Sequence, residues 1–325
     1  MGRIIDCGIL YGNMLFYLLK KGFILCLSLW CVVTGTFFLM HAIPGDPFIG
    51  EQNIPQEVLD SLYAYYGLDL PLWKQYIKYL KELASGNLGV SIIYHGRSVN
   101  QFIKEGFPIS AQLGFQALLV SVPCGILLGT WASLKRGQWQ DGVSMVISTL
   151  GVSVPSFVLS SLLQFLFCVK LHLLPVARWG SFEHTILPTL ALAALPTAFI
   201  ARLTRSNMVE VLQQDYIRTA LAKGIPLFRI SIRHGLRNAV LPVITYLGPV
   251  TTQILTGSFM IERIFAIPGL GQWMIHSIGG RDYPMIIGLT IFFSTCLIIS
   301  MFLVDLLYSL LDPRIRIAPL REAHA

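Results

Sequence analysis

Six stretches free of Asp, Glu, Lys and Arg dominate this chain, at residues 22–45, 106–134, 142–169, 184–201, 238–261 and 283–304. Crossing a hydrocarbon core of ~30 Å takes ~20 apolar residues in a helix, and each stretch approaches or exceeds that length. Backbone polar groups in lipid must be satisfied internally, so runs of this kind form helices. The rest of the composition agrees: 54% of the 325 residues are hydrophobic and 13% charged, where a soluble domain carries about 25% charged residues. Disorder needs the opposite balance. The fourth stretch is the shortest and contains Pro188 and Pro196; it remains a span because membrane helices tolerate proline when neighbours re-satisfy the backbone. The first is too long for a signal-peptide core and lacks a small-residue cleavage site, so it reads as a retained helix.

Loop charges give the orientation. With the N-terminus inside, the cytoplasmic pieces carry fifteen basic residues and the two short outer loops carry four. The long segment 46–105 is discounted because long loops count little in this rule. Both termini are therefore expected in the cytoplasm. The same rule accounts for the formal charge of +7, and nucleic-acid binding is not expected. Five of the six cysteines lie within apolar runs and none forms a CxxC pair, so neither a disulfide framework nor a metal site is expected.

Two segments outside the spans carry information. In 46–105, Pro71 opens a helical pattern with Leu72, Tyr76, Leu80 and Leu83 on one side, and Gly86 ends it. This helix reads as a cap on the bundle or membrane, or as a docking surface for an external partner. The second segment, 202–237, holds seven basic residues against Glu210 and Asp215. Asp215 is expected to N-cap a short helix over residues 216–223, with Gly224 as its C′ residue. Pro226 then begins a second helix, with Phe228, Ile232 and Leu236 on one stripe and Arg229, Arg233 and Arg237 beside it. The arginines suit anionic lipid headgroups. The first helix, with Thr219, Ala220 and Ala222 and a glycine stop, suits insertion into a groove on another protein.

Chemistry within the chain is not indicated. GxxxxGK[ST] and HExxH are absent, and Gly151-Val152-Ser153-Val154-Pro155 lacks the last glycine of GxSxG. Asp305 is the acid inside a span, and pairing with a loop arginine as a structural lock is the expected role. His41, at the outer end of the first span, reads as a hydrogen-bonded interfacial histidine. Thr251, Thr252, Gln253 and Ser258 in the fifth span either line a translocation path or hydrogen-bond between helices.

The stretch Asp215-Tyr216-Ile217-Arg218-Thr219-Ala220-Leu221-Ala222-Lys223-Gly224 resembles the cytoplasmic coupling loop of bacterial ATP-binding-cassette importer permeases, in the wording of their dipeptide and oligopeptide branch. Further stretches agree in order: His41-Ala42-Ile43-Pro44-Gly45-Asp46-Pro47, Thr204-Arg205-Ser206-Asn207, Ile267-Pro268-Gly269-Leu270-Gly271, Arg281-Asp282-Tyr283-Pro284, and Asp305-Leu306-Leu307-Tyr308 with Asp312-Pro313-Arg314. The general loop pattern begins Glu-Ala-Ala where this chain has Arg218-Thr219-Ala220.

The resemblance implies an all-α membrane protein of six transmembrane helices with the type I importer permease fold, in a bacterial inner membrane. It implies no cofactor, no catalytic residue and no enzymatic activity of its own. The implied partners are a second, homologous permease, two cytoplasmic ATP-binding subunits and an external peptide-binding protein, with peptide as substrate. Asp215, Tyr216, Arg218, Thr219, Ala220, Lys223 and Gly224 would form the ATPase-coupling surface. The expected organisation is an N-terminal span with its external segment (1–105), a permease core (106–317) and a cytoplasmic tail (318–325). An importer permease for nickel or another small solute is the alternative within transport, and a membrane receptor or scaffold the alternative outside it.

Overall fold

The computed structural model describes residues 2–42, 55–255 and 258–311, with side chains described over 22–42, 55–255 and 258–304. Residues 43–47, Thr256, Asp312 and everything beyond it, and the side chain of Asp305 lie outside the described residues. Among those described there is no strand; Val90 and Ser98 form an isolated antiparallel bridge.

The helices follow the apolar runs. α1 (Gly2–Ala42) carries the first, followed by α2 (Gln56–Tyr66) and α3 (Leu72–Ala84). α4 (Val99–Leu134) carries the second. The third is divided between α5 (Trp139–Ser153) and α6 (Ser156–Leu163), the latter continued by a π-helical turn over Gln164–Lys170. α7 (Glu183–Leu212) carries the fourth, and the short helices α8 (Asp215–Ala222) and α9 (Leu227–Ile230) follow. A π-helical turn over Ser231–Leu236 leads into α10 (Arg237–Ala239), α11 (Leu241–Leu255) and α12 (Phe259–Ile264). α13 (Leu270–Gly280) and α14 (Tyr283–Leu311) complete the chain.

Among the described residues, four helical segments are long and apolar enough to cross a membrane: Gly22–Ala42, Val99–Leu134, Glu183–Leu212 and Tyr283–Val304. The number rises to six when each of two bent pairs is one span. The third run is not the uninterrupted crossing expected from its composition. Its halves, Trp139–Ser153 and Ser156–Lys170, meet at 104°. Pro155 lacks an N–H and its ring drives the preceding residue out of the α region, and Val154 is extended at φ −82°, ψ 119°. Pro188 and Pro196 behave differently, since α7 runs through both. It continues to Leu212, so the first third of the 202–237 segment is helix rather than loop.

Contacts among the described residues cluster into two compact units, one drawn from Met1–Gln101 and His276–Ile298, the other from Phe102–Ile275 and Ile299–Ala325. In the first, α3 packs beside α1: Phe37 meets the rings of Tyr76 and Tyr79 at centroid distances of 5.3 and 6.0 Å. In the second, α7 is the central element and packs against α5, α6 and α11. Its buried face is built from Ala191, Ala193, Ala198, Ala201 and Thr204. Small residues let membrane helices approach closely, and α4 answers in kind. A Cβ on Gly125 would lie 2.7 Å from Cβ of Ile200, and one on Gly129 would lie 2.7 Å from Cβ of Thr204.

Candidate coupling surface and buried carboxylate sites

α8 is an eight-residue helix, and isolated helices this short are unstable in water. Three devices hold it. Ile217 is fully buried beneath it. The Asn238 side-chain amide of α10 donates to the Tyr216 hydroxyl at 3.1 Å. At its end, Gly224 takes φ +77°, and its N–H donates to the Leu221 carbonyl while the N–H of Ile225 donates to that of Ala220. Those two bonds are a Schellman closure, which needs a left-handed residue at C′.

The C′ role of Gly224 is as expected, and that of Asp215 is not. The N-cap is Gln214, with no side-chain capping bond, and Asp215 occupies the first helical position. There its charge still complements the helix N-terminus. Its contact with Arg218, at 3.6 Å with both side chains largely exposed, contributes little. Tyr216, Arg218, Thr219 and Lys223 are exposed, as is Gly224, and Ala220 is half-buried.

The second helix departs from the expected stripe. The π-helical turn Ser231–Leu236 shifts the phase, so Ile230, Ser231, Gly235 and Ala239 are buried while Phe228 and Ile232 are exposed. Arg229, Arg233 and Arg237 stay on the surface. Tyr216, Leu221, Leu227 and Phe228 therefore present apolar surface among basic residues, a combination that marks an interaction site.

A charged clamp anchors the helix leading into this surface. Arg205 of α7 donates through Nε and Nη2 to the two carboxylate oxygens of Asp141 in α5, at 2.6 and 2.7 Å. The N–H of Gly137 adds a third bond to Asp141 at 3.1 Å. Bidentate pairs of this kind fix orientation as well as charge.

The fifth-span polar residues do not share one environment. Thr252 is buried, and its hydroxyl pairs with that of Ser300 in α14. Thr251 is half-buried, Gln253 exposed, and Ser258 is the N-cap residue of α12. The position of Thr252 matches the interhelical hydrogen-bonding alternative. His41 is engaged at both nitrogens, by the Phe37 carbonyl at 2.8 Å and Gln75 Oε1 at 3.0 Å.

Two acids absent from the expected sites are fully buried. Within the second unit, Glu262 of α12 accepts from the Ser110 hydroxyl at 2.8 Å and from the N–H groups of Gly271 and Gln272 at 2.9 and 3.3 Å. Ser110 in turn accepts from the N–H of Leu270. The Ile267-Pro268-Gly269-Leu270-Gly271 stretch is thus strapped around one carboxylate. Gly269 is required there, since a Cβ would lie 2.5 Å from Glu262 Oε2. Within the first unit, Asp282 accepts from the Ser91 hydroxyl and the N–H groups of Ile92 and Ile93. It also caps α14 by accepting from the N–H of Met285 at 3.3 Å. Buried acids need this density of donors. Asp141, Glu262 and Asp282 each adjoin an apolar run in the sequence, which was the available signal.

These features define an all-helical, multi-pass membrane protein that presents a short, braced helix from a basic connection. The chain belongs to the binding-protein-dependent transport system inner membrane component family, whose model matches residues 122–317; the model of that family's N-terminal region matches residues 14–110. It is a transporter component rather than an enzyme. It is 50% identical over 301 residues to the dipeptide transport system permease protein DppB of Bacillus subtilis (strain 168), covering 93% of this chain and 98% of that one. It is 41% identical over 305 residues to the oligopeptide transport system permease protein OppB of Escherichia coli (strain K12), covering 93% of this chain and all of that one. A solved structure of the MetNI methionine ABC transporter, in an inward-facing conformation, matches 65% of this chain and 97% of its own at a TM-score of 0.52 and 16% identity. That likeness shows the ABC importer permease fold.

Proposed function

We propose that this chain is the permease subunit forming half of the membrane pathway for peptides in an ATP-binding-cassette importer of the bacterial inner membrane. Its partners are a second, homologous permease, two cytoplasmic ATP-binding subunits and an external peptide-binding protein. Both termini face the cytoplasm, as the charge asymmetry requires. Residues 106–317 form the conducting core, 1–105 supply the first span with its external segment, and 318–325 form a tail. The similarity to the dipeptide permease, at 50% identity along nearly the whole of both chains, carries the peptide reading and disfavours nickel.

Coupling runs through α8. Closure of the ATP-binding subunits moves a groove that holds Tyr216, Arg218, Thr219 and Lys223, and the displacement passes into α7. Thr251, Gln253 and Ser258 lie along the conducting path. The test is uptake of radiolabelled dipeptide and of nickel by cells with and without this chain. Dipeptide uptake that depends on the chain, with nickel uptake unchanged, is expected. Chain-dependent nickel uptake alone would replace the peptide reading, and loss of neither would favour a receptor or scaffold.

A further inference from the structure

α3 combines three features that together point to a ligand outside the transport cycle. It lies against the end of a membrane span. Tyr76 Oη pairs with Thr34 Oγ1 at 2.7 Å, Gln75 meets His41 at 3.0 Å, and the Tyr76 ring lies tilted against those of Phe37 and Phe38 at 5.3 and 5.6 Å. These contacts fall on the later turns of the described α1 span, Gly22–Ala42, so α3 lies alongside that part of the span.

There α3 leaves part of one flank exposed: Trp73 is 60% exposed and Ile77 44% exposed, and they recur at helical spacing with the half-buried Leu80. Lys74, Lys78 and Lys81 occupy the adjoining flank. Between the two flanks is a shallow depression of about 290 Å³, lined by Trp73, Lys74, Ile77, Lys78, Lys81 and Glu82. Lys74 Nζ stands 5.4 Å from the centre of the Trp73 ring. An exposed indole with ammonium groups beside it, on a helix packed along a span, is the arrangement of an interfacial amphipathic helix on an anionic surface.

We infer that the outward flanks of α3 bind anionic phospholipid, with Trp73 and Ile77 seated at the acyl boundary and Lys74, Lys78 and Lys81 on the headgroup phosphate. Three lysines against one glutamate in the depression favour an anion. The apolar flank beside the span favours a lipid over a free phosphate, which would leave Trp73 and Ile77 in water.

The test uses the full chain in nanodiscs of mixed phosphatidylcholine and phosphatidylglycerol, with one or the other lipid brominated. The Trp73 signal is isolated by subtracting Trp73→Phe from the unaltered chain. Quenching of Trp73 is expected to be severalfold stronger when phosphatidylglycerol carries the bromine. Replacing Lys74, Lys78 and Lys81 by Gln should remove the preference while leaving quenching, with roughly a fivefold loss of anionic-lipid affinity per lysine. Equal quenching by the two lipids would overturn the headgroup assignment. Absence of quenching by either would overturn the lipid assignment altogether and leave α3 as a surface for water or an external protein.

Discussion

Gly224→Val separates the coupling role of α8 from a role in lipid binding. Gly224 sits at φ +77°, and a Cβ built there meets nothing within 4 Å. The substitution therefore acts through the backbone and not through a clash. A β-branched residue in the left-handed region costs about 1–2 kcal/mol. Escape from that region breaks the Schellman bonds from Gly224 to Leu221 and from Ile225 to Ala220. α8 has eight residues and one buried anchor, Ile217, so it has little reserve. A loss of 1–2 kcal/mol lowers the population of the native helix end by a factor of about 5–30. Dipeptide uptake and co-purification of the ATP-binding subunits should fall together, with membrane level unchanged, because the spans are untouched. Gly224→Asn is the control, since Asn tolerates the left-handed region, and it should retain most uptake. Full uptake by Gly224→Val at normal membrane level would refute the assignment. So would a pattern in which only charge reversal at Arg229 and Arg233 is harmful.

Asp141→Ala strands the Arg205 guanidinium. Arg205 keeps about a quarter of its side chain exposed, so the expected loss is on the order of 3 kcal/mol, read as a lower thermal midpoint in detergent, with Asp141→Glu recovering part of it. Glu262→Ala should leave Ser110 and the Gly271 and Gln272 N–H groups unpaired, at about 1–3 kcal/mol for each buried group. Protease should then cut the 267–272 strap faster, while Glu262→Gln, which keeps one acceptor, should be milder. A cysteine at position 56 should react with an impermeant maleimide from outside, and one at position 229 only after permeabilisation; the reverse pattern would invert the topology. Asp215→Ala should leave uptake near normal, because that carboxylate makes no capping bond.

What was legible in the sequence divides along physical lines. Hydrophobic runs fix where helices lie because burying backbone in lipid leaves no other choice. The position of Gly224 was legible because a left-handed C′ residue is a local requirement. The cap shifted by one residue because Asp215 and Gln214 compete for one position, and neither makes a side-chain bond there to decide it. The π-helical turn at Ser231–Leu236 was not legible, since the extra residue per turn answers to packing of Ser231 and Gly235 and leaves no mark on a 3.6-residue pattern. The bend at Pro155 was present in the sequence but ambiguous, as Pro188 and Pro196 sit within a helix that continues. Hydropathy hides the buried acids: Asp141, Glu262 and Asp282 bound three apolar runs, and a charge in that place marks the edge of a span. Their donors come from Ser110, Ser91 and Arg205, 152, 191 and 64 residues away, and no local pattern pairs them.

The proposed coupling role requires a stiff connection from α8 into the membrane helices, and the same charges supply part of it. α7 is 30 residues long, about 45 Å at 1.5 Å per residue, and only Gln213 and Gln214 separate it from α8. A force applied at α8 therefore enters α7 directly. Near that end, the Arg205–Asp141 clamp ties α7 to α5, and Gly125 and Gly129 bring α4 within van der Waals contact of Ile200 and Thr204. Side chains packed this closely resist sliding, so α4, α5 and α7 shift as a group. Compliance must then lie elsewhere, at the break between α5 and α6 beside Pro155 and at the π-helical turn before α10, where backbone hydrogen bonding is already interrupted or expanded. On this account, weakening the clamp and weakening the α8 closure damage transport differently. The first should leave ATP hydrolysis running with reduced uptake, because the subunits still dock. The second should lower docking and uptake together.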